Sequence, residues 1–541
     1  MRKIVYPIQW LAAAFSLLLV TGCGKDFLDI NTDPNNPRNA PLSQVLPYAQ
    51  LNMTNSLGFG GSGLSYPASG FVHQTVTRDN FNTYFAVGND FAINQAWDNL
   101  YAGALTDYQQ IIDQGTQQNN WHFVGIAQIL KAYTFSQMVD IWGDIPFTQS
   151  NLGSRNPYPT FDPGQEIYPQ LITLIDEGIA NLAKTTTVQP GASDLFYGGT
   201  TNKWRRFANS LKLKLYNNVR LTSLYDPAAV AALLANPEAD LMASGADDFE
   251  LLYGNTLSPN NRHPAFIQEY TQGGPSYFIS PYFYQIMQGQ STLNPVLNGI
   301  EDPRIPYYFY NQLEEDEAAQ NPTAYRDGAF VSIWFGSLNV DPNEGWDQNT
   351  SQTVVGLYPA GGPYDAGQGE PAGPNSGLQG ASVQRLYTYF SSLYVRAELA
   401  LTRATGEDAR ALFEDAMVES FAEVNRSAAQ AGAPLIAPGD IEAYVADVLE
   451  RYTTADINGK LELIMTEKWI ANFGFAVESY ADIRRTGFPR PFDPRTDNNP
   501  VTVLNRDYIV SFPYPVTDLQ LNPNAPAPRN IATDRVFWDQ N

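Results

Sequence analysis

The fold is decided by residues 97–112, which read WDNLYAGALTDYQQII. The apolar side chains recur every three or four residues and share one face: Trp97, Leu100, Tyr101, Ala104, Leu105, Tyr108, Ile111 and Ile112. This spacing predicts an amphipathic helix, because an α-helix completes a turn in about 3.6 residues. Residues 121–139 repeat the pattern after a short polar link. The sequence therefore predicts two helices packed against each other.

Helical periodicity returns along most of the chain. It is visible in five further stretches, at 166–182, 201–219, 386–404, 407–424 and 461–473. Helices that arrive in pairs are typical of tetratricopeptide-like arrays. Residues 248–379 differ, because Gly, Pro, Asn and aromatic residues replace the helical pattern. We predict a mainly α fold, with a helix-pair scaffold at about 40–247 and 380–490, an irregular loop-rich binding lobe at about 248–379 and an irregular C-terminal segment at 491–541.

The first 22 residues have the pattern of a signal peptide. Arg2 and Lys3 precede an apolar run at 10–20, which is shorter than the ~20 residues that a membrane span requires. Cys23 is the only cysteine and follows the small residue Gly22, as in a bacterial lipobox. We predict a lipoprotein signal peptide at 1–22, a lipid on Cys23 and one mature body at 23–541. An ordinary signal peptide with a cysteine nearby by chance is the alternative.

Composition narrows the class of ligand. The chain has 541 residues and a formal charge of −24, which repels nucleic acid and anionic lipid. Charged residues make up only 16% of the chain, so neutral side chains supply much of its polarity. Aromatic residues are plentiful at 13% and therefore stand mostly among neutral polar groups. Such surroundings suit neutral polar ligands, namely sugars or peptides.

Motifs for catalysis or metal binding are missing from the sequence. The three histidines have no metal-ligand spacing, and there is no HExxH, CxxC, GxSxG or Walker sequence. Asp29, Asn31 and Asp33 alternate as in a calcium loop, but Pro34 stands where that loop requires glycine. We predict that the protein is not an enzyme, has no cofactor and has no metal site. A surface glycoside hydrolase is the alternative. Such an enzyme uses two carboxylates that face each other across a cleft, and their separation in the sequence follows no fixed pattern.

Several motifs run in order along the chain. The first are DFLDINTDPN at 26–35, DIWGDIPF at 140–147 and YGGTTNKWRRFANSLKL at 197–213. The last are EKWIAN at 467–472, DIRRTGFP at 482–489 and FPYP at 512–515. Each match is modest, but the ordered set resembles the SusD/RagB-like outer-membrane lipoproteins of Bacteroidetes.

The resemblance implies a tetratricopeptide-like scaffold that carries an irregular ligand-binding lobe. It implies a cell-surface lipoprotein that captures oligosaccharide and acts as the lid of a SusC-like TonB-dependent barrel in the outer membrane. Peptide or another nutrient as ligand stays open, as does a purely structural role at the outer membrane.

The motif residues themselves are predicted to be structural. Gly143 is expected in a turn at positive φ, because glycine adopts that conformation without strain. Trp204 and Trp469 lie on helical stripes and are expected in the core. Arg484 and Arg485 are expected to pair with buried carboxylates rather than to touch ligand.

Sugar recognition requires flat aromatic faces for the C–H groups, and amides or carboxylates for the hydroxyl groups. The candidate ligand-binding rings are Trp334, Trp346, Tyr277, Tyr84, Phe81 and His73, and the candidate polar residues are Asp79, Asn80 and Asn82. Trp334 leads this set, because it lies outside any helical pattern in Ile333-Trp334-Phe335-Gly336. For each ring taken alone, packing under a loop is the competing interpretation.

Overall fold

The computed structural model describes residues 40–78, 91–271, 273–318, 321, 324–336, 349–493, 495–497 and 508–540. Several predictions fall outside these ranges: the signal peptide, the anchor Cys23, the calcium-like stretch 29–34, and the ligand candidates Asp79, Asn80, Phe81, Asn82, Tyr84 and Trp346. Within the described ranges, no helix combines the length and the apolar character that crossing a membrane requires.

The N-terminal half of the chain is a group of helices packed side by side. They are α1 (Leu42–Leu57), α2 (Ser65–Phe71), α3 (Phe91–Asp98), α4 (Thr106–Gln118), α5 (Trp121–Trp142), α6 (Gly164–Leu182) and α7 (Thr201–Asn218). α5 packs against both α4 and α6. It is buried on almost every side and forms the centre of this half. The mainly α fold that the periodicity predicted is confirmed.

A π-helical segment, Asn99–Leu105, interrupts the helix predicted over 97–112. Gly103 of this segment lies against α1, and a Cβ added to it would come within 2.8 Å of Asn52 Nδ2. The wider π turn therefore occurs where two helix backbones approach closely. Local periodicity carries no signal for it, because the cause is the neighbouring helix.

The chain between the two helical groups carries short elements. The helices are α8 (Pro227–Leu233), α9 (Pro237–Asp240), α10 (Pro264–Tyr270), α11 (Pro281–Met287), α12 (Ile305–Tyr308) and α13 (Leu357–Ala360). The strands, counted from the N-terminal half, are β1 (Thr75–Thr77), β2 (Phe249–Leu252), β3 (Tyr277–Ile279), β4 (Phe309–Tyr310), β5 (Tyr325–Asp327), β6 (Phe330–Ser332), β7 (Val354–Val355) and β8 (Val383–Tyr387). They pair antiparallel as β1–β3, β2–β8, β4–β7 and β5–β6.

A second helical group follows β8. It comprises α14 (Tyr389–Arg403), α15 (Ala409–Ala431), α16 (Pro438–Thr454), α17 (Ile457–Ala471), α18 (Ala476–Thr486) and the short α19 (Val516–Leu521). The prediction that a helix begins at Leu386 is wrong, because Leu386 belongs to β8. The helix begins at Tyr389. Thr388 is its N-cap, because the Oγ1 atom of Thr388 accepts a hydrogen bond from the Ser391 backbone N–H at 3.2 Å.

The motif residues are structural, as predicted. Trp204 and Trp469 are at most 1% exposed, and Gly143 has φ +83°. Arg485 pairs with two buried carboxylates, Glu398 and Asp482. Arg484 donates hydrogen bonds to backbone carbonyl oxygens, among them that of Val510 at 3.1 Å, and its charge opposes the rise that burial causes in the pKa of the Asp140 carboxyl group.

The C-terminal segment closes the end of α5. The Trp142 indole N–H donates to the Pro513 carbonyl oxygen at 3.0 Å, and the Phe512 N–H donates to the Ile141 carbonyl oxygen at 3.1 Å. Trp538 is 1% exposed, and its indole N–H donates to Asp140 Oδ1 at 2.8 Å. This segment has little regular structure, yet it is part of the core.

Candidate ligand-binding site

The candidate site is an aromatic patch formed by Trp334, Tyr325, Tyr282 and Phe492. The ring centre of Trp334 lies 5.0 Å from that of Tyr282 and 4.9 Å from that of Tyr325. Tyr282 in turn stacks on Phe492 at 4.5 Å with 12° between the ring planes. Trp334 and Tyr325 are partly exposed, whereas Tyr282 and Phe492 are buried. The patch therefore has an exposed edge on a rigid aromatic base.

The β5–β6 hairpin positions the exposed edge. Tyr325 pairs with Ser332 across the hairpin, and Trp334 follows two residues later. Asp327 pairs with Phe330, so Gly328 and Ala329 make a two-residue turn. Gly328 has φ +57°, a conformation that such turns require and that favours glycine.

The buried base comes from α11 and from the segment after α18. Ser280 caps α11, because its Oγ accepts a hydrogen bond from the Tyr282 N–H at 3.3 Å, and Pro281 occupies the first helical position. This cap fixes the direction in which Tyr282 leaves the helix. Phe492 then packs on its ring from the C-terminal segment.

Asp327 supplies a hydrogen-bonding group beside the patch. It lies two residues from Tyr325 on one strand, so both side chains point to the same face. Its Oδ2 accepts hydrogen bonds from the Tyr284 hydroxyl at 3.1 Å and from Gln290 Nε2 at 2.5 Å. Tyr284 is itself held by stacking on Phe330 at 3.8 Å. The partly exposed carboxylate is thus a fixed acceptor for ligand hydroxyl groups.

Two of the predicted ligand-binding rings are buried. Tyr277 of β3 is 8% exposed, and its ring centre lies 3.9 Å from that of Tyr66. His73 is 1% exposed and contacts Phe492 edge to face at 5.2 Å. Burial lowers the pKa of His73 to about 3, so the imidazole is neutral at physiological pH. In this structure neither ring offers a face to a ligand, and His73 packs beneath the patch through Phe492.

Two residues that flank the segments with the other predicted rings contact each other. Arg78, which precedes residues 79–90, donates through Nη1 to Asn349 Oδ1 at 3.1 Å. Asn349 directly follows residues 337–348, which begin close after Trp334. Arg78 Nη1 also donates to the carbonyl oxygen of Pro275, two residues before β3, at 3.0 Å. The structure therefore brings together the residue before one segment and the residue after the other, while binding by Phe81, Tyr84 and Trp346 stays a prediction.

A buried carboxyl group orders the turn before β3. Glu269 is 2% exposed, and its Oε2 accepts hydrogen bonds from the N–H groups of Ser276 at 3.0 Å and Tyr277 at 3.3 Å. Burial raises the pKa of Glu269 to about 8, although both hydrogen bonds oppose the rise. The group is therefore mostly protonated at neutral pH.

Two cavities lie outside the exposed edge of the patch. One cavity, of about 180 Å³, reaches the buried base of the patch, because Phe492 is one of its lining residues. Its charged lining residues are Arg484, Arg490, Arg495, Arg535, Asp493 and Asp539. The other, about 500 Å³, lies on the helical scaffold between α6 and α7 and shares no lining residue with the patch. Volume alone does not select the binding site, because an open aromatic surface holds one side of a long ligand without enclosing it.

Sequence reasoning missed Tyr325, Asp327, Tyr282 and Phe492. The Asp327-Gly328 pair is a hairpin signal that predicts a strand on either side and so points to Tyr325. Ser280-Pro281 is likewise a helix-start signal for Tyr282. No local pattern marks Phe492, because its stacking partner is distant in sequence.

Solved structures share this fold over nearly their whole length. A SusD/RagB family protein from Bacteroides thetaiotaomicron has a TM-score of 0.66 at 20% identity, covering 93% of this chain and 99% of that one. A SusD homologue from Bacteroides fragilis has a TM-score of 0.68 at 17% identity, with coverage of 93% and 99%. A chitin-binding SusD homologue from Flavobacterium johnsoniae has a TM-score of 0.63 at 19% identity, with coverage of 92% and 99%. At these identities the likeness establishes the fold alone.

Sequence comparison identifies the family. No curated protein matches the chain significantly. The SusD-like family model, described as "Starch-binding associating with outer membrane", matches residues 34–515. Because that match covers most of the sequence, and because the fold agrees with it, the chain belongs to the SusD-like family.

Proposed function

We propose that the chain captures an oligosaccharide at the aromatic patch and delivers it to a SusC-like TonB-dependent transporter, whose lid it forms. The observation that carries this proposal is the partly exposed ring of Trp334, held on Tyr282 and Tyr325 beside the acceptor Asp327. A sugar ring packs its C–H face on such a ring and directs hydroxyl groups to a nearby carboxylate. The family description as starch-binding supports a carbohydrate ligand.

A lipid on Cys23 would hold the chain at the outer surface of the outer membrane. The family description places its members with the outer membrane, and the lipobox-like sequence provides the means of anchoring. Metabolic labelling with a radioactive fatty acid tests the anchor. We expect label on the wild-type chain and none on the Cys23→Ser variant. The partnership is tested separately, by co-purification of a barrel protein with the wild-type chain.

Binding of the mature body without Cys23, residues 24–541, to a glycan and peptide array tests the ligand class. We expect a selective glycan hit whose affinity falls about tenfold or more in Trp334→Ala, equivalent to about 1.4 kcal/mol of binding free energy. Tyr48→Ala is the matched control, because Tyr48 is 60% exposed on α1, a helix that contributes no residue to the patch. Its affinity should equal that of the wild type.

The same array distinguishes the alternatives. A selective peptide hit that still depends on Trp334 would keep the site and change the ligand class. Equal affinity of wild type and Trp334→Ala for a glycan would refute the placement at the patch. Release of new reducing ends from the bound glycan would instead identify a glycoside hydrolase.

A further inference from the structure

We infer that Asp248, Glu250 and Glu423 form a binding site for a hard divalent cation, with Ca²⁺ as the preferred ion. The three residues offer carboxylate oxygens that all lie within 4.8 Å of one another. Oxygen ligands bind Ca²⁺ at about 2.3–2.6 Å, so two ligands of one ion lie no more than about 5 Å apart. The spacing therefore fits a shared ion, at a place that sequence analysis did not predict.

Asp248 directs an unused oxygen into this cluster. The residue is 5% exposed, and its Oδ1 accepts a hydrogen bond from the Tyr389 N–H at 2.6 Å. Its Oδ2 has no hydrogen-bond partner in the described part of the chain. A buried carboxylate oxygen without a partner is costly, because it has lost its water and gained nothing in return. A bound cation removes that cost.

Glycine at position 245 leaves space next to this oxygen. A Cβ added to Gly245 would lie 3.6 Å from Asp248 Oδ2 and 3.6 Å from Glu423 Oε1. These two oxygens therefore border the same space. Glu423 Oε1 differs from the oxygen that binds arginine, since Arg385 and Arg426 both donate to Oε2.

The charges of the cluster do not balance when all three carboxylates are ionised, and without an ion, burial and the neighbouring Glu423 and Glu250 raise the pKa of Asp248. Arg385 pairs with Glu423 at 2.9 Å, and Arg426 bridges Glu423 at 2.5 Å and Glu250 at 2.6 Å. Two guanidinium groups thus face three carboxylates, two of which are at most 6% exposed. A buried carboxylate left without a counter-charge is unfavourable, and a divalent cation supplies the missing positive charge.

The donor set selects the type of ion. All the ligands are carboxylate oxygens, which suit Ca²⁺ and Mg²⁺ rather than softer metals that favour nitrogen or sulfur. Ca²⁺ tolerates irregular geometry, whereas Mg²⁺ demands a near-ideal octahedron. The ion would brace β2, which carries Glu250, against α15, which carries Glu423.

Calorimetric titration of the chelator-treated mature chain with CaCl₂ tests this site. We expect one saturable site and a higher melting temperature with Ca²⁺ than with chelator. Asp248→Asn should weaken Ca²⁺ binding at least tenfold, because it keeps the shape of the side chain and removes its charge. Asp415→Asn is the matched control, since Asp415 is an exposed aspartate on the same helix as Glu423, and it should bind like the wild type.

Two results would contradict the calcium site. Absence of heat and of any melting shift up to about 10 mM Ca²⁺, beyond the range of weak extracellular sites, would overturn the inference. So would equal weakening by Asp248→Asn and Asp415→Asn, which would indicate only diffuse attraction to an acidic protein. If Asp248→Asn does not fold, Glu250→Gln, which alters a partly exposed ligand, must give the tenfold loss instead.

Discussion

Arg485 of α18 and Glu398 of α14 form a bidentate ion pair in the interior of the protein. Nη1 lies 2.5 Å from Oε1, and Nη2 lies 2.8 Å from Oε2, with both side chains at most 1% exposed. Arg220 adds a contact to Glu398 at 3.1 Å, and Asn217 of α7 donates to it at 2.7 Å. One carboxylate therefore joins the two helical groups.

Replacing Glu398 should destabilise the whole molecule. Glu398→Gln removes the ion-pair partner of the Arg220 guanidinium group and leaves Arg485 paired with Asp482 alone among the described residues. Breaking a buried pair in this way costs about 3–5 kcal/mol of unfolding free energy. Urea denaturation of both proteins measures the loss. Glu414→Gln is the matched control, because Glu414 makes an exposed pair with Arg410 at 3.2 Å, and such pairs contribute about 0.3–0.5 kcal/mol. A loss no larger than that of the control would contradict the role given to Glu398.

Glu398 should also govern stability in acid. Burial favours its neutral form, but Arg220 and Arg485 outweigh burial and lower its pKa from 4.5 to about 2. Because the folded pKa lies below the unfolded value, the stabilisation is present above pH 4.5 and is lost as the pH falls toward 2. Unfolding free energies measured across this window should fall less steeply for Glu398→Gln than for the wild type. Parallel pH profiles would refute the assignment.

Glu269 should have the opposite pH dependence. Its folded pKa of about 8 lies above the unfolded value of 4.5, so folding favours the protonated form. Stability should therefore decline as the pH rises from 4.5 toward 8, since the unfolded chain releases its proton first. Glu269→Gln keeps an acceptor for the Ser276 N–H and has no proton to lose, so its decline should be smaller. Thermal melts at intervals across this range provide the comparison.

A side chain at position 143 should lower the free energy of unfolding. At φ +83° a Cβ is strained, and it would lie 2.8 Å from Arg529 Nη1, which donates to the Trp142 carbonyl oxygen. We expect Gly143→Ala to cost about 1–3 kcal/mol of unfolding free energy. Gly439→Ala is the control, because a Cβ there meets no atom within 4 Å and lies in the first turn of α16. That change should be neutral or slightly stabilising, and equal effects at both positions would contradict the argument.

Periodicity predicted the helical scaffold, because burial of one face leaves a mark in the local sequence. The core placement of Trp204 and Trp469 followed from the same stripes and is confirmed. Periodicity failed at Leu386, where strand pairing with β2 overrides the helical pattern. Both the π-helical segment and the base of the patch depend on contacts between distant segments, so no local pattern encoded them. Trp334 was chosen as a candidate because it stands outside any helical pattern, whereas Phe492 gives no comparable sign in the sequence.

The hydrogen bond between Trp538 and Asp140 links residues 398 positions apart. A chain that crosses a membrane N-terminus first therefore exposes Asp140 long before the indole arrives, and the N-terminal helices emerge without their final partner. If the signal peptide predicted at residues 1–22 directs export, folding to the native state should be delayed until translocation is nearly finished, so that the polypeptide stays unfolded during its passage. We expect a chain ending at residue 507 to be digested rapidly by protease under conditions in which the full-length chain resists.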